Sequence, residues 1–140
     1  MNATKAIAEL DLSAVHADLV RRDGMTPAQA DAAITMYRQF LTLAALYPAI
    51  PVCPPSAADK AWHRHMMRPL AYFDVCQPLF GGPLDHDPDA YGTPEFTAAW
   101  GETRRLFREH FGIELLADAT ALEANSRAPA ACYRPLPKAA

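Results

Sequence analysis

Five side chains of the kinds that bind metal ions or carry protons fall within 28 residues: Asp59, His63, His65, Cys76 and His86. Imidazole nitrogen and thiolate sulfur suit zinc and related late transition metals, and a carboxylate oxygen can complete such a set. Helical geometry sorts the five. At about 100° per residue, Asp59 and His63 are four apart and share a face, while His65 is turned about 200° from His63 and points elsewhere. The spacing therefore favours His63, Cys76 from the next segment and His86 from a following loop as the convergent ligands. Asp59 is either a fourth ligand or an outer carboxylate orienting the His63 ring. Three protein ligands and a water make an open, reactive zinc site, and four make a structural one. Neither a Cys-x-x-Cys nor a His-Glu-x-x-His pattern accompanies them.

The same residues have plainer readings. Asp59 sits where the third position of a helix is expected, and a carboxylate is favoured there by free backbone N–H groups. Cys76 lies in an apolar run and reads as a small buried hydrophobe. His86 stands between two aspartates as an ordinary loop residue. Three functions stay open: a metal-binding accessory or interaction module, an enzyme, or a metal-free structural or protein-binding domain with a hydrogen-bonded His/Asp/Cys cluster. The enzyme would use an open metal site, or Cys76 as nucleophile with His63 or His86 as base. Trp62 reads as core rather than as a substrate platform. His16, His110 and Cys53 sit in unspecialised contexts, and Cys132 reads as a loose surface thiol.

The elements that must position these groups are helical. Asp11 or Ser13 can cap a helix ending at Gly24, with Leu12, Val15, Leu19 and Val20 as its apolar stripe. Thr26-Pro27-Ala28-Gln29 is a capping-box start for a long helix stopped by Pro48. Four prolines between Pro48 and Pro55 dictate an extended crossover. Ser56 to Asp59 resembles a second capping box, opening the helix of Trp62, His63 and Met66. Pro69 kinks that helix or begins another, whose apolar positions are Leu70, Phe73 and Leu79, with Tyr72 and Cys76 four apart. Gly81-Gly82-Pro83 stops it, and Asp- and Pro-rich loop chemistry follows from Leu84 to Gly92. Thr93-Pro94 starts a last helix through Phe96, Trp100, Thr103, Leu106, Phe107 and His110, closed at Gly112. The predicted fold is all-α: a bundle of about four to five helices over residues 1–123, with a poorly ordered Ala/Pro-rich tail over 124–140.

Composition narrows the class further. The 140 residues are 51% hydrophobic and 21% charged, the balance of one globular domain with a core of its own. Net charge is −3, and the thirteen Lys and Arg residues are scattered, so no nucleic-acid partner is expected. No apolar run reaches the ~18 to 20 residues of a membrane span, and no membrane association is expected. Three cysteines, an odd number, and the absence of a secretory signal at the start point to a reducing cytoplasm. The sequence leaves an unknown protein partner open.

An ordered series of short motifs adds to this. Tyr37-Arg38-Gln39-Phe40-Leu41 is followed by Pro55-Ser56-Ala-Ala-Asp59-Lys-Ala-Trp62-His63-Arg-His65, then Tyr72-Phe-Asp74-Val-Cys76, Phe80-Gly81 and His86-Asp87-Pro88. From about Thr26 to Gly112 the chain resembles the glycine-rich domain-containing protein-like family, whose members show a comparable Asp-x-x-Trp-His-x-His, Tyr-x-x-x-Cys, Phe-Gly and His-x-Pro progression. The resemblance implies that Asp59, Trp62, His63, His65, Tyr72, Cys76 and His86 form one site or one structural kernel. It implies no substrate. The glycine-rich tail and RNA-binding segment of the larger plant members have no counterpart among the six glycines here.

Overall fold

The described residues form six helices: α1 (Ala3–Ala8), α2 (Ser13–Asp23), α3 (Pro27–Leu46), α4 (Ser56–Met66), α5 (Pro69–Phe80) and α6 (Pro94–Phe111). The computed structural model describes residues 2–85 and 92–117. His86, Cys132 and the Ala/Pro-rich tail lie outside that set. The fold is all-α, with one helix more than expected. The addition is α1, six residues capped by Asn2, whose side chain accepts the Lys5 N–H. Pro69 opens a new helix rather than kinking the old one.

Local chemistry sets most boundaries. At the start of α3, Thr26 accepts the Gln29 N–H at 3.1 Å and Gln29 accepts the Thr26 N–H at 2.9 Å, a complete capping box. Thr93 caps α6 by accepting the Phe96 N–H. Gly24, Gly81 and Gly112 end α2, α5 and α6 in the left-handed conformation that glycine adopts without a Cβ clash. The expected second capping box does not form. Pro55 takes the N-cap position of α4 and has no side-chain acceptor, so Ser56 is the first helical residue and Asp59 the fourth. Nor does Asp11 or Ser13 cap α2 as expected: Leu12 is the N-cap, and the Asp11 carboxylate instead accepts both the N–H and the hydroxyl of Ser13.

Helix α3 is the spine, packed against α1, α2, α4 and α6. Its Tyr37, Phe40, Leu41 and Leu43 are fully buried. Polar clamps fix the outer helices to this core. Arg38 donates to the Ile7 and Leu10 carbonyls at 2.6 and 2.9 Å, which satisfies the C-terminal end of α1. Arg64 forks onto Asp23 and Arg68 onto Asp18, tying α2 to α4 and to the α4–α5 junction. The prolyl crossover runs beneath α6: Val52 and Cys53 are fully buried, and the Cys53 N–H donates to Thr103 Oγ1 at 2.9 Å.

Helix α5 departs most from expectation. Its apolar count nominates Leu70 and Phe73 as core, yet they are 82% and 48% exposed. Only Tyr72 and Cys76 are buried on α5. These two, four apart, define the narrow stripe that meets α4.

Candidate functional site

The chemistry-bearing residues of α4 divide between its two faces. Ala58, Ala61, Trp62 and His65 recur at the spacing of one helical stripe and are all buried. His63 is rotated off that stripe, and its side chain is 52% exposed.

On the inner face, four aromatic residues and a cysteine form a polar kernel. Tyr37 Oη and His65 Nδ1 lie 2.7 Å apart, joining α3 to α4. Trp62 Nε1 donates to Tyr72 Oη at 2.8 Å, and the Tyr72 hydroxyl donates to the Leu84 carbonyl at 2.6 Å. One phenol thereby links α4, α5 and the chain leaving α5. The His65 ring meets Tyr37 and Tyr72 edge-on, with centroids 5.7 and 5.1 Å away, and Phe40 packs on Trp62 at 4.9 Å. Cys76 is buried beside the Tyr72 hydroxyl and the Leu84 backbone.

Burial governs protonation here. It lowers His65 to a pKa of about 4, so the ring is neutral at neutral pH. Burial also drives Tyr37 and Tyr72 well above the usual phenol range, with the neighbouring Cys76 thiol adding in the same direction. Both phenols keep their protons. With the Tyr37 proton in place and His65 uncharged, the hydrogen bond between Tyr37 Oη and His65 Nδ1 joins two neutral groups. Burial pushes the Cys76 thiol up as well, against the formation of a thiolate.

The outer face holds the other pair. His63 Nε2 sits 3.2 Å from Asp59 Oδ2, one turn earlier. The Asp59 hydrogen bond raises the His63 pKa, and partial desolvation opposes it. Asp59, His63, Lys60, Arg64, Asp23, Met66 and Met67 line a shallow cleft of about 370 Å³. Within it Asp23 is forked by Arg64, which holds its carboxyl below the usual range.

The expected convergence of His63 with Cys76 is thus not how the helices arrange them. Cys76 shares the side of α4 that carries Trp62 and His65, through Tyr72, while His63 opens onto the outer cleft. His65 does turn away from His63, as the helical rotation requires, and it is the histidine of the inner face. Among the described residues no group of three or more His, Cys, Asp or Glu side chains is placed to hold a metal ion. His86, the remaining expected ligand, lies outside those residues. Sequence reasoning missed Tyr37 as a kernel partner, although the i, i+3, i+4, i+7 stripe from Ala58 to His65 carried the signal that His65 turns inward.

Among the described residues, no helix is long and apolar enough to cross a membrane. The chain matches no family model, no curated protein and no solved structure.

Proposed function

We propose that this chain is a small helical interaction domain in which a metal-free, hydrogen-bonded aromatic kernel locks α5 onto α4 and so holds an apolar face out to a partner. One observation carries the reading. The α5 helix buries only Tyr72 and Cys76 while presenting Leu70 and Phe73 to solvent, so its packing is specified by the Trp62–Tyr72–Leu84 hydrogen bonds more than by apolar area. A buried hydrogen-bonded network fixes one arrangement of its helices, because any slip leaves donors unpaired in a dry interior. The family resemblance, which groups Trp62, His65, Tyr72 and Cys76 among its residues, fits a structural kernel that contains these four. The raised Cys76 thiol opposes the activation that a nucleophile at this position would require. A cytoplasmic setting agrees with Cys53 and Cys76 being buried free thiols.

The zinc reading rests on the Asp59–His63 pair, which sets an oxygen and an imidazole nitrogen side by side on one helical turn. Elemental analysis of untagged protein separates the two. The structural reading expects substoichiometric zinc, thermal unfolding unmoved by a strong chelator, and a loss of about 1–3 kcal/mol in Tyr72→Phe, which strands the Trp62 N–H and the Leu84 carbonyl. Near-stoichiometric zinc that disappears in His63→Ala would replace it with the metal site.

A further inference from the structure

We infer that α5 is a hinged flap that lifts off α4 as a unit while the rest of the bundle stays folded, and that an adduct on Cys76, the thiol that lifting uncovers, holds it open. The inference rests on the reading of the kernel as a metal-free lock on α5 and adds how that lock opens.

Three features of α5 leave it little stability of its own. Of its twelve residues only Tyr72 and Cys76 are buried, while Val75, Leu79 and Phe80 are partly so. Pro78 stands inside the helix and lacks the N–H that would bond the Asp74 carbonyl. A helix this short is marginal in water unless tertiary packing holds it. By contrast, α6 buries Phe96, Ala99, Trp100, Thr103, Leu106 and Phe107. Low burial and a weakened helix mark a unit that opens before its surroundings do.

Both ends of α5 are suited to turning. Arg68, with a ψ of 75°, breaks the helical run from α4, and its guanidinium forks onto Asp18 at 2.8 and 3.0 Å. The fork pins the pivot to α2 and leaves α5 itself outside the clamp. Gly81, at a φ of 75°, ends the helix, and Gly82 follows it. The bond from Trp62 Nε1 to Tyr72 Oη, 2.8 Å, crosses from α4 to α5, whereas that from Tyr72 to the Leu84 carbonyl travels with the flap. Cys76 lies behind this latch, fully buried and an electrostatic neighbour of Tyr37 and Tyr72. Interiors are close-packed, so an adduct on its sulfur does not fit while α5 lies on α4.

The test labels the full chain with iodoacetamide under native conditions and follows each cysteine by peptide mapping. The thiol sulfur bonds the reagent's methylene carbon, iodide leaves with the bonding pair, and the thiol proton passes to solvent. Cys53, sealed beneath α6, is the internal reference. Cys76 is expected to react at least about tenfold faster than Cys53, with a shallower dependence on urea because a lifted flap exposes less surface than an unfolded chain. Thr103→Val strands the Cys53 N–H, and is expected to speed Cys53 about tenfold while leaving Cys76 within about twofold. Tyr72→Phe is expected to speed Cys76 about tenfold. Chymotrypsin is expected to cut the alkylated chain first within Pro69–Phe80, where the unmodified chain resists. Equal rates and equal urea slopes for the two thiols overturn the flap, as does equal acceleration of both by Thr103→Val, since Cys76 then waits for global unfolding. The urea slopes need no variant to fold. An unchanged Cys76 rate in Tyr72→Phe overturns the latch, and an alkylated α5 that resists cleavage overturns the trapping by the adduct. Stoichiometric zinc lost in His63→Ala removes the metal-free reading by a measurement separate from the labelling rates, so the two failures are told apart.

Discussion

His63 and His65 stand two residues apart on one helix and are opposite in nearly every physical respect. His65 is sealed among Tyr37, Tyr72 and the core, neutral, and held by one short hydrogen bond. His63 is half in solvent and its cationic form is favoured by Asp59. The difference teaches that a His-x-His spacing on an intact helix is not a chelate but a partition: one ring belongs to the fold and the other to the surface. Burial sets which is which, and with it the sign of each ring's response to pH.

The comparison breaks most readily at its centre. Trp62 is fully buried and supplies the N–H that Tyr72 accepts, so Trp62→Ala removes both a large core volume and a kernel donor. A loss of about 3–5 kcal/mol is expected in denaturant unfolding. A loss below about 1 kcal/mol would show that the inner face is not the structural one.

The next effect is a titration. The folded-state pKa of His65 is depressed to about 4 from an ordinary 6.5, so the unfolded chain binds the proton first as pH falls. Stability is then full above pH 6.5, declines between about 6.5 and about 4, and levels off below, by roughly 3 kcal/mol from this group. His63 acts in the reverse sense: its raised pKa adds stability below about 6.5 that is lost as pH rises through the folded value. Asp18 and Asp23, held below the usual carboxyl range by Arg68 and Arg64, lose their contribution only as pH drops under about 3.8. Glu114, held below its ordinary 4.5 by Arg108, begins to lose its contribution only at the acid end, so most of the window from 6.5 to 4 belongs to the histidines. His65→Asn keeps an acceptor near Nδ1 and removes the titrating group, so its stability is expected to be flat or slightly rising on acidification there. An unchanged acid slope in that variant would assign the slope elsewhere.

The smallest effect lies on the outer face. His63→Ala breaks a partly buried i, i+4 pair and is expected to change stability by no more than about 1 kcal/mol. A change several times larger would mean that His63 holds something beyond Asp59.

Much of this fold was legible because its signals are local. Thr26-Pro27 and Thr93-Pro94 start helices through atoms within three residues, and Gly24, Gly81 and Gly112 end them through a backbone conformation. The Ser56 box failed for an equally local reason, since Pro55 occupies the cap. The site was less legible. Two of the four buried stripe positions on α4 are alanines and one is a histidine, so the face that turns inward carries a weak hydropathic signal. Tyr37 joins His65 from 28 residues upstream, a pairing made by tertiary packing of α3 on α4. Leu70 and Phe73 read as core because hydropathy reports what a residue prefers, while exposure depends on whether another element covers it. The Arg–Asp forks onto α2 belong to the same class: they are separated by 41 and 50 residues and have no local signature.

The hydrogen bond from the Cys53 N–H to Thr103 carries a further consequence. It is made by a segment with no regular structure, yet it spans 50 residues and lies in the sealed core, where Thr103 in turn donates to Ala99. The crossover therefore cannot open as a loop opens. Releasing that amide to solvent requires α6 to move off the crossover, so its hydrogen exchange is expected to report the detachment of α6, while the exposed amides of other connections exchange by local fraying.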